Sequence, residues 1–334
     1  MKILVATEKP FAPAAVAGIK KAAEAEGHEL VLLEKYTDKQ QLLDAVKDAD
    51  AMIVRSDKIT KEVLDAAPKL KIVVRAGAGY DSIDTAYAKE KGVVVENTPG
   101  QNSNAVAELV FGLLVYTVRN FFNGKAGSEL KGKKLGILAF GNVGRNVARI
   151  AKGFDMEVYA FDEFVPADKI EAQGVHAAKD RDDLFKTCDI VSLHIPATDE
   201  TRKSINYEVV GQMKKGAILI NTARKEVIDE DGLLKLLAER EDLKYITDIK
   251  PDKDAEFAKF EGRYFSTPKK MGAQTAEANI NAGIAAANQI NAFFKDGCTK
   301  FQVNKSPTSF NIRHPSHSTF ATPLIQHSTF NTQH

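Results

Sequence analysis

The sequence predicts an α/β protein with two doubly wound parallel sheets. Short apolar runs alternate with helix-length amphipathic segments along most of the chain, as in right-handed β-α-β units. A glycine-rich turn joins one central apolar run directly to a helix. The length of 334 residues exceeds that of an ordinary single domain. These three observations favour two α/β units, each with its own core.

Two series of apolar runs predict the strands. The first series spans Ile3 to Ala6, Leu30 to Leu33, Ala51 to Val54, Ile72 to Val74 and Val93 to Val95. A helix from about Asn104 to Phe122 follows, and the glycines after it predict a hinge between the sheets. The second series spans Leu135 to Ala139, Glu157 to Phe161, Ile190 to Leu193, Ala217 to Ile220 and Tyr245 to Thr247. The last helix of the body is expected from about Thr275 to Phe294.

The composition excludes several classes of partner. Lys and Arg number 46 against 45 Asp and Glu, so no overall field attracts nucleic acid or an anionic membrane. The longest apolar stretch, Leu109 to Val118, is about half of the roughly 20 residues that a membrane span needs. Only Cys188 and Cys298 occur, and the first residues read as a buried strand, so we expect a cytoplasmic protein.

The end of the chain differs from the rest. From Asn304 onward there is no Asp or Glu, while Ser, Thr and His are frequent, so residues 304–334 are expected to form a disordered tail. Its histidines lack the tight spacing of metal ligands, and we predict no metal site.

The glycine turn predicts a dinucleotide site. It lies between the apolar strand at residue 135 and a helix, where free amides and the helix dipole attract a pyrophosphate. Asp162 ends the next strand, at about the 20-residue distance where an acidic side chain binds the ribose hydroxyls. That carboxylate would repel a 2'-phosphate, which favours NAD over NADP. Ala139 replaces the first glycine of the pattern, and the alternative is a glycine turn that binds no nucleotide. The predicted contacts here are Gly141, Asn142, Val143, Gly144 and Asp162.

Seven motifs in a fixed order carry a resemblance to a known family. Besides the glycine turn they are Val54 to Ser56, Arg75 to Asp84, Asn97 to Asn102 with Ala107 and Glu108, Val191 to Pro196, Gly216 to Arg224 and Thr267 to Ala273. On these motifs the chain resembles the D-2-hydroxyacid dehydrogenases, and among them the short phosphoglycerate dehydrogenases, over nearly all of residues 1 to 303. The regulatory domain of longer members is not expected, because the body ends near Val303.

The resemblance implies a domain plan. Residues 1–99 and 275–303 would form a discontinuous, flavodoxin-like substrate domain, and residues 100–274 a Rossmann NAD-binding domain. The cleft between them would hold the chemistry. The resemblance also adds cofactor contacts at His194, Pro196, Thr222 and Asp248. For His194 a merely structural role at the sheet edge is equally open.

The resemblance also assigns substrate contacts. Amides of the loop Ala76, Gly77, Ala78 and Gly79 would bind the substrate carboxylate, and Arg224 would orient the carboxylate and the 2-oxygen. Residues expected near a phosphate or at the cleft edge are Arg55, Ser56, Arg75 and Asn102. So many basic groups in one cleft suit a substrate that carries both carboxylate and phosphate.

The acid/base motif departs from the family. Lys270 stands where the family has its catalytic histidine, Lys269 precedes it, and a lysine also replaces the partner glutamate. We expect burial and the charge of Lys269 to lower the pKa of Lys270 enough for it to act as the base. Lysine-bearing relatives exist within the family. The alternative is that both lysines only bind phosphate or water.

The expected function is NAD-dependent oxidation of 3-phosphoglycerate to 3-phosphohydroxypyruvate, the first step of the phosphorylated route to serine. Two alternatives stay open. One is a hydroxypyruvate, glyoxylate or other D-2-hydroxyacid reductase, and the other is an NAD-binding co-regulator without catalysis. Family members dimerise through the nucleotide domain, so a homodimer is expected.

Overall fold

In the computed structural model, residues 1–305 are described, and residues 1–304 form one compact unit. Most of the predicted tail, residues 306–334, lies outside the described part of the chain. The tail was predicted to begin at Asn304, and this is wrong. Asn304 is buried, accepts a hydrogen bond from the Val95 amide and donates one to the Val93 carbonyl. These bonds fasten it to the edge of the first sheet.

The first sheet has five parallel strands in the order β2-β1-β3-β4-β5, which is the flavodoxin-like order. Its strands are β1 (Lys2–Thr7), β2 (Glu29–Glu34), β3 (Ala51–Val54), β4 (Ile72–Arg75) and β5 (Val94–Asn97). The helices of this part are α1 (Pro13–Ala25), α2 (Lys39–Ala45), α3 (Lys61–Asp65) and α4 (Thr85–Glu90). Strands β1, β3 and β4 are almost fully buried, as apolar runs covered on both faces require.

The second sheet has seven parallel strands in the order β12-β11-β10-β9-β6-β7-β8. Counted from β6, this is the Rossmann order with one added edge strand. The strands are β6 (Lys134–Leu138), β7 (Glu157–Phe161), β8 (His176–Ala177), β9 (Ile190–Leu193), β10 (Ile218–Asn221), β11 (Lys244–Thr247) and β12 (Tyr264–Ser266). The helices are α5 (Ser103–Val118), α6 (Asn142–Gly153), α7 (Ala167–Glu171), α8 (Arg181–Thr187), α9 (Tyr207–Gly211), α10 (Glu230–Glu239) and α11 (Asp254–Phe257). The predicted fold class, two doubly wound parallel sheets, is confirmed.

The final helix, α12 (Ala276–Asp296), returns to the first sheet. Its buried Ala286, Ala287 and Ile290 share a core cluster with residues of β1, β3 and β4. Small residues let it approach α1: a Cβ on Gly283 would lie 2.9 Å from Ile19 Cδ1. The exact domain boundaries stay a prediction.

Helix α5 is shorter than predicted. It ends at Val118, and Asn120, Phe121 and Phe122 follow with positive φ angles of 51°, 54° and 56°. Such angles break an α-helix even within an apolar run. The edge strands β8 and β12 were not predicted, because two or three residues carry no readable alternation.

All of the strand pairs are parallel, so the carboxyl ends of each sheet lie along one edge. The predicted site residues follow those ends. In residues 1–305 no helix is long and apolar enough to cross a membrane, and no group of side chains suited to a metal ion occurs.

Candidate active site

The glycine turn after β6 has the geometry of a phosphate site. Gly141 caps α6, and a Cβ built on Gly141 meets no atom within 4 Å, so the space beside it is open. A Cβ on Gly144 would lie 2.4 Å from the Ala139 carbonyl oxygen, so glycine is needed there for close helix packing. The amides of Asn142, Val143 and Gly144 form the first turn of α6, where backbone donors have no intrahelical partner.

Ala139 forms the turn despite its side chain. Its φ is +78°, a left-handed conformation that glycine adopts freely and alanine only at a cost. Its amide donates to the Phe161 carbonyl, at 2.9 Å, so the turn is fastened to β7. The tight turn is therefore present, and the substitution adds local strain.

Asp162 lies beside the glycine turn at the end of β7. Its Oδ2 accepts the amide of Phe140 at 2.6 Å, and its Oδ1 accepts the amides of Phe164 and Val165. Each carboxylate oxygen can accept more than one bond, so lone pairs remain for ribose hydroxyls. The side chain thus shapes the turn, and its contact with the ribose stays a prediction.

The ends of β9 and β10 continue this edge. The Thr222 hydroxyl is buried and has no hydrogen-bond partner among the described residues. A buried polar atom without a partner points to a group that is absent from the chain itself. Together with the open glycine turn and the first turn of α6, this orphan hydroxyl fits a dinucleotide.

His194 and Pro196 lie on the loop after β9. The His194 ring contacts the Ser192 hydroxyl at 2.8 Å, and burial lowers the pKa of His194 to about 3. The imidazole is therefore neutral and is no source of charge for the site. Pro196 is exposed, and its carbonyl accepts the Thr201 hydroxyl. Contacts of either residue with the cofactor stay predictions.

The buried side chain of Asn221 fixes the backbone that carries Arg224. Asn221 Oδ1 accepts the Ala223 amide and its Nδ2 donates to the Arg224 carbonyl, both at 2.9 Å. This fixes the backbone just beyond β10, while the Arg224 guanidinium donates to the Ala223 carbonyl and is otherwise exposed. Sequence analysis did not single out Asn221, although an asparagine at the end of a buried strand is a usable signal.

The loop after β4 holds two of its amides internally. The Ala76 amide donates to the Val54 carbonyl at 2.8 Å, and the Gly77 amide donates to the Thr98 hydroxyl at 2.7 Å. The prediction that the whole loop offers amides to a carboxylate is therefore wrong for these two. The amides of Ala78 and Gly79 are the two donors of this loop that remain for a substrate carboxylate.

Arg75 and Arg55 lie side by side at the ends of β4 and β3. Arg75 Nε donates to the Arg55 carbonyl at 2.9 Å, and a Cβ on Gly77 would overlap the Arg75 guanidinium. Burial, followed by the charge of Arg55, lowers the pKa of Arg75, while Asp81 raises it. The two positive charges are thus near enough to affect each other, and Asp81 compensates part of the effect on Arg75.

Arg55 is already partly used by the fold. Its Nη1 donates to the carbonyls of Lys9 and Pro10, at 3.1 and 3.0 Å, and its Nη2 donates to Asn279 Oδ1 at 3.2 Å. Buried Asp57, which sequence analysis missed, accepts the Arg55 amide and the hydroxyl of Tyr36. Of the two arginines, Arg75 therefore keeps more donors for a ligand.

Two further predicted contacts are less defined. Ser56 is exposed beside Arg55, and Asn102 is half-buried at the start of α5, where its carbonyl accepts the Val106 amide. Across from them, Gly100 packs against the Asn142 side chain, which brings the start of α5 to the glycine turn.

Lys270 lies in the loop between β12 and α12. Burial is the first cause that lowers its pKa, and the charge of Arg224 is the second, while Asp248 and Glu226 raise it. The residue as a whole is exposed, so the shift is partly screened by water. The like charge comes from Arg224, and the expectation that Lys269 supplies it is wrong. Lys269 is exposed beside it.

Asp248 anchors the lysine loop, the segment between β12 and α12 that carries Lys270. Its carboxylate is fully buried and accepts the Thr267 hydroxyl, the Met271 amide and the Gly272 amide, each at 2.8 Å. These bonds lie on both sides of Lys270. A contact of Asp248 with the cofactor stays a prediction, but its carboxylate clearly positions the loop.

The two aspartates that flank the missing glutamate do not reach the lysine loop. Asp252 pairs with Lys225, and Asp254 pairs with Lys250 and accepts the Tyr264 hydroxyl. Their charges are used within the neighbouring loops.

Comparisons with known proteins agree with this geometry. Residues 117–265 match the D-isomer specific 2-hydroxyacid dehydrogenase family, NAD binding domain. The NAD+-bound 3-phosphoglycerate dehydrogenase of Entamoeba histolytica is 49% identical, with 91% of this chain and 99% of that one covered and a TM-score of 0.78.

Curated relatives carry different activities, among them phosphoglycerate dehydrogenase, hydroxypyruvate reductase and glyoxylate reductase. The D-3-phosphoglycerate dehydrogenase of Methanocaldococcus jannaschii is 37% identical over 80% of this chain, which spans only 54% of that protein. The hydroxypyruvate reductase of Thermotoga maritima is also 37% identical, over 78% of this chain and 90% of its own length. The chain therefore belongs to the D-isomer specific 2-hydroxyacid dehydrogenases, the family whose NAD-binding domain it carries.

Proposed function

We propose that the protein oxidises 3-phosphoglycerate to 3-phosphohydroxypyruvate with NAD, the first step of the phosphorylated route to serine. The observation that carries the proposal is the pair of guanidinium groups of Arg55 and Arg75. Arg75 donates to the backbone carbonyl of Arg55, the charge of Arg55 lowers the pKa of Arg75, and no carboxylate of residues 1–305 forms a salt bridge with either. A phosphate dianion would relieve their repulsion, whereas an unphosphorylated hydroxy acid leaves it in place.

Three groups would orient the reacting end of the substrate. The amides of Ala78 and Gly79 would donate to its carboxylate, and the Arg224 guanidinium would donate to the carboxylate and the 2-oxygen. A fork of donors on both oxygens fixes C2 in one orientation, which hydride transfer requires. NAD supplies the hydride acceptor when bound, held at the glycine turn, Asp162 and Thr222.

Lys270 would handle the proton. In the oxidation it must be neutral, because it takes the proton of the 2-hydroxyl as C2 loses hydride. In the reduction it must be an ammonium, because it returns that proton to the 2-oxygen. Burial and the charge of Arg224 both favour the neutral amine, which is the direction that a base near neutrality needs.

A spectrophotometric screen tests the assignment. It follows the absorbance of reduced nicotinamide with 3-phosphoglycerate, glycerate, lactate and phosphohydroxypyruvate, using both nicotinamide cofactors. Arg75→Gln should reduce kcat/KM for 3-phosphoglycerate by roughly thirtyfold, the worth of about 2 kcal/mol for one charge-assisted contact. It should change kcat/KM for glycerate little. Equal losses on both substrates would exclude a phosphate contact by Arg75.

The pH dependence tests the lysine. Because the pKa of Lys270 lies below its ordinary value, oxidation should rise with pH and level off before the ordinary lysine range near pH 10.4. Reduction should fall over the same interval. Lys270→Ala should lower turnover in both directions by about a hundredfold and leave NADH affinity unchanged. Lys269→Ala is the matched control and should keep the pH profile. Near-normal turnover of Lys270→Ala would rule the mechanism out.

The second candidate is hydroxypyruvate or glyoxylate reduction, which the likeness to the Thermotoga maritima reductase favours. It predicts efficient reduction of unphosphorylated oxo acids and no dependence on Arg75. A co-regulator without catalysis would bind NADH and give no absorbance change with any substrate in the screen. A homodimer in the cytoplasm remains the accompanying prediction.

A further inference from the structure

A second charged cavity lies on the opposite edge of the nucleotide-binding sheet. Its volume is about 280 Å³, and it is lined by the segment after α5 and by the amino ends of β9, β10 and β11. The polar residues that line it are Lys133, Lys215, Lys244, Asp189, Asn120 and Ser128. The proposed reaction takes place at the carboxyl ends of the strands. With about 3.3 Å per residue, strands of four residues separate the two edges by roughly 13 Å.

The charge of this cavity is uncompensated. None of Lys133, Lys215 and Lys244 forms a salt bridge with a carboxylate of residues 1–305. The only lining carboxylate is Asp189, which already pairs with Lys214 at 3.5 Å and accepts the Lys134 amide at 2.8 Å. Three lysines therefore line this cavity, and none of them has a carboxylate partner among the described residues.

Of the three lysines, Lys244 gives the clearest indication that the cavity binds an anion. It is half-buried at the first position of β11, and burial alone lowers its pKa, so no acidic neighbour stabilises its charge. A partly desolvated ammonium group without a partner destabilises the protein, because only a group of opposite charge offsets the free-energy cost of burying a charge. The partner is missing from the described chain.

The wall of the cavity is a built structure. The Ser128 amide donates to the Val118 carbonyl at 2.8 Å, and the Asn120 side chain donates to the Ala126 carbonyl at 2.9 Å. A Cβ on Gly127 would lie 2.3 Å from the Val118 carbonyl oxygen, so the loop closes against the end of α5 only with glycine there.

We propose that this cavity binds a small dianion, a phosphate or a dicarboxylate, at a site separate from the reaction. The three lysines would supply charge and the Ser128 hydroxyl one more donor. The volume of about 280 Å³ admits a molecule of metabolite size.

Calorimetric titration with inorganic phosphate tests the site in an Arg75→Gln background, which removes the phosphate contact proposed for the reaction. We expect one phosphate to bind to this variant. Adding Lys244→Gln should weaken that binding by at least about tenfold. Adding Lys21→Gln instead, an exposed lysine of α1, should leave it unchanged.

A titration with succinate, done in the same way, distinguishes a phosphorylated ligand from a dicarboxylate. Binding of phosphate alone assigns the site to phosphorylated ligands, and binding of succinate alone assigns it to dicarboxylates. The Lys133→Gln/Lys215→Gln double variant provides a second test should Lys244→Gln fail to fold. An Arg75→Gln protein that binds neither anion overturns the proposal, as does binding that is indifferent to all three lysines.

Discussion

Replacement of Asp248 by asparagine should disorder the lysine loop and destabilise the protein. The carboxylate is fully buried and accepts three hydrogen bonds from Thr267, Met271 and Gly272. Oδ1 accepts two of them and Oδ2 the third. An asparagine has one carbonyl oxygen, so even in its better orientation the amide NH₂ faces the Gly272 amide.

The magnitude follows from that mismatch. One charge-assisted hydrogen bond, worth about 1.5–3 kcal/mol, is lost, and two buried donors that face each other cost about 1–3 kcal/mol more. Removal of a buried charge returns part of this. We therefore expect Asp248→Asn to lower the free energy of unfolding by about 3 kcal/mol, a large fraction of the 5–15 kcal/mol typical of a domain.

Urea unfolding measures this change, and turnover of the folded variant measures the effect on the loop. Thr267→Val is the matched control, since it removes one neutral donor to the same carboxylate and should cost about 1 kcal/mol. An Asp248→Asn protein within about 0.5 kcal/mol of the wild type, with normal turnover, would refute the role assigned to this carboxylate.

Two further predictions concern the cofactor turn. Wild-type kcat/KM should be much higher with NAD than with NADP, and Asp162→Ser should narrow the difference, because the carboxylate that repels a 2'-phosphate is removed; comparable efficiency of the wild type with both cofactors would contradict this. Ala139→Gly should raise the free energy of unfolding by about 1 kcal/mol, since it relieves the left-handed φ of +78° at a smaller cost in chain entropy. Ala17→Gly, in the middle of α1, is its control and should destabilise by about 1 kcal/mol. If both alanines respond alike to glycine, the turn is not strained.

The fold was predictable because the buried strands of parallel sheets produce a clear pattern of apolar residues in the sequence. Strands covered on both faces read as continuous apolar runs, and the fully buried β3 and β9 lie where such runs predicted them. The run of left-handed residues after Val118 was not predictable, because phenylalanine carries no local mark of a positive φ and one asparagine, although it tolerates such an angle, does not indicate three in a row. Asn304 was assigned to the tail for a related reason. The residues that follow it have the composition of the tail, but its hydrogen bonds attach it to the first sheet.

The grouping of the candidate residues at the strand ends was predictable from sequence, and the hydrogen bonds they make were less so. Motifs at strand ends indicated which loops meet, since the carboxyl ends of parallel strands share an edge. They did not indicate which donors the fold itself uses. The amides of Ala76 and Gly77 and the Arg55 guanidinium bond to residues that are remote in sequence. Such assignments depend on tertiary contacts, and no spacing along the chain encodes them.

The neighbourhood of Lys270 explains why a lysine site can dispense with the family's glutamate. A carboxylate beside a lysine would stabilise its ammonium and raise a pKa that is already high. Arg224 acts in the opposite direction in the free protein, and burial adds to it. When the proposed substrate binds, its carboxylate pairs with Arg224 and cancels part of that charge. The pKa of Lys270 should then rise on substrate binding, which leaves less neutral amine at a given pH. Oxidation should therefore level off at a higher pH in kcat, which reports the complex, than in kcat/KM, which reports the free enzyme.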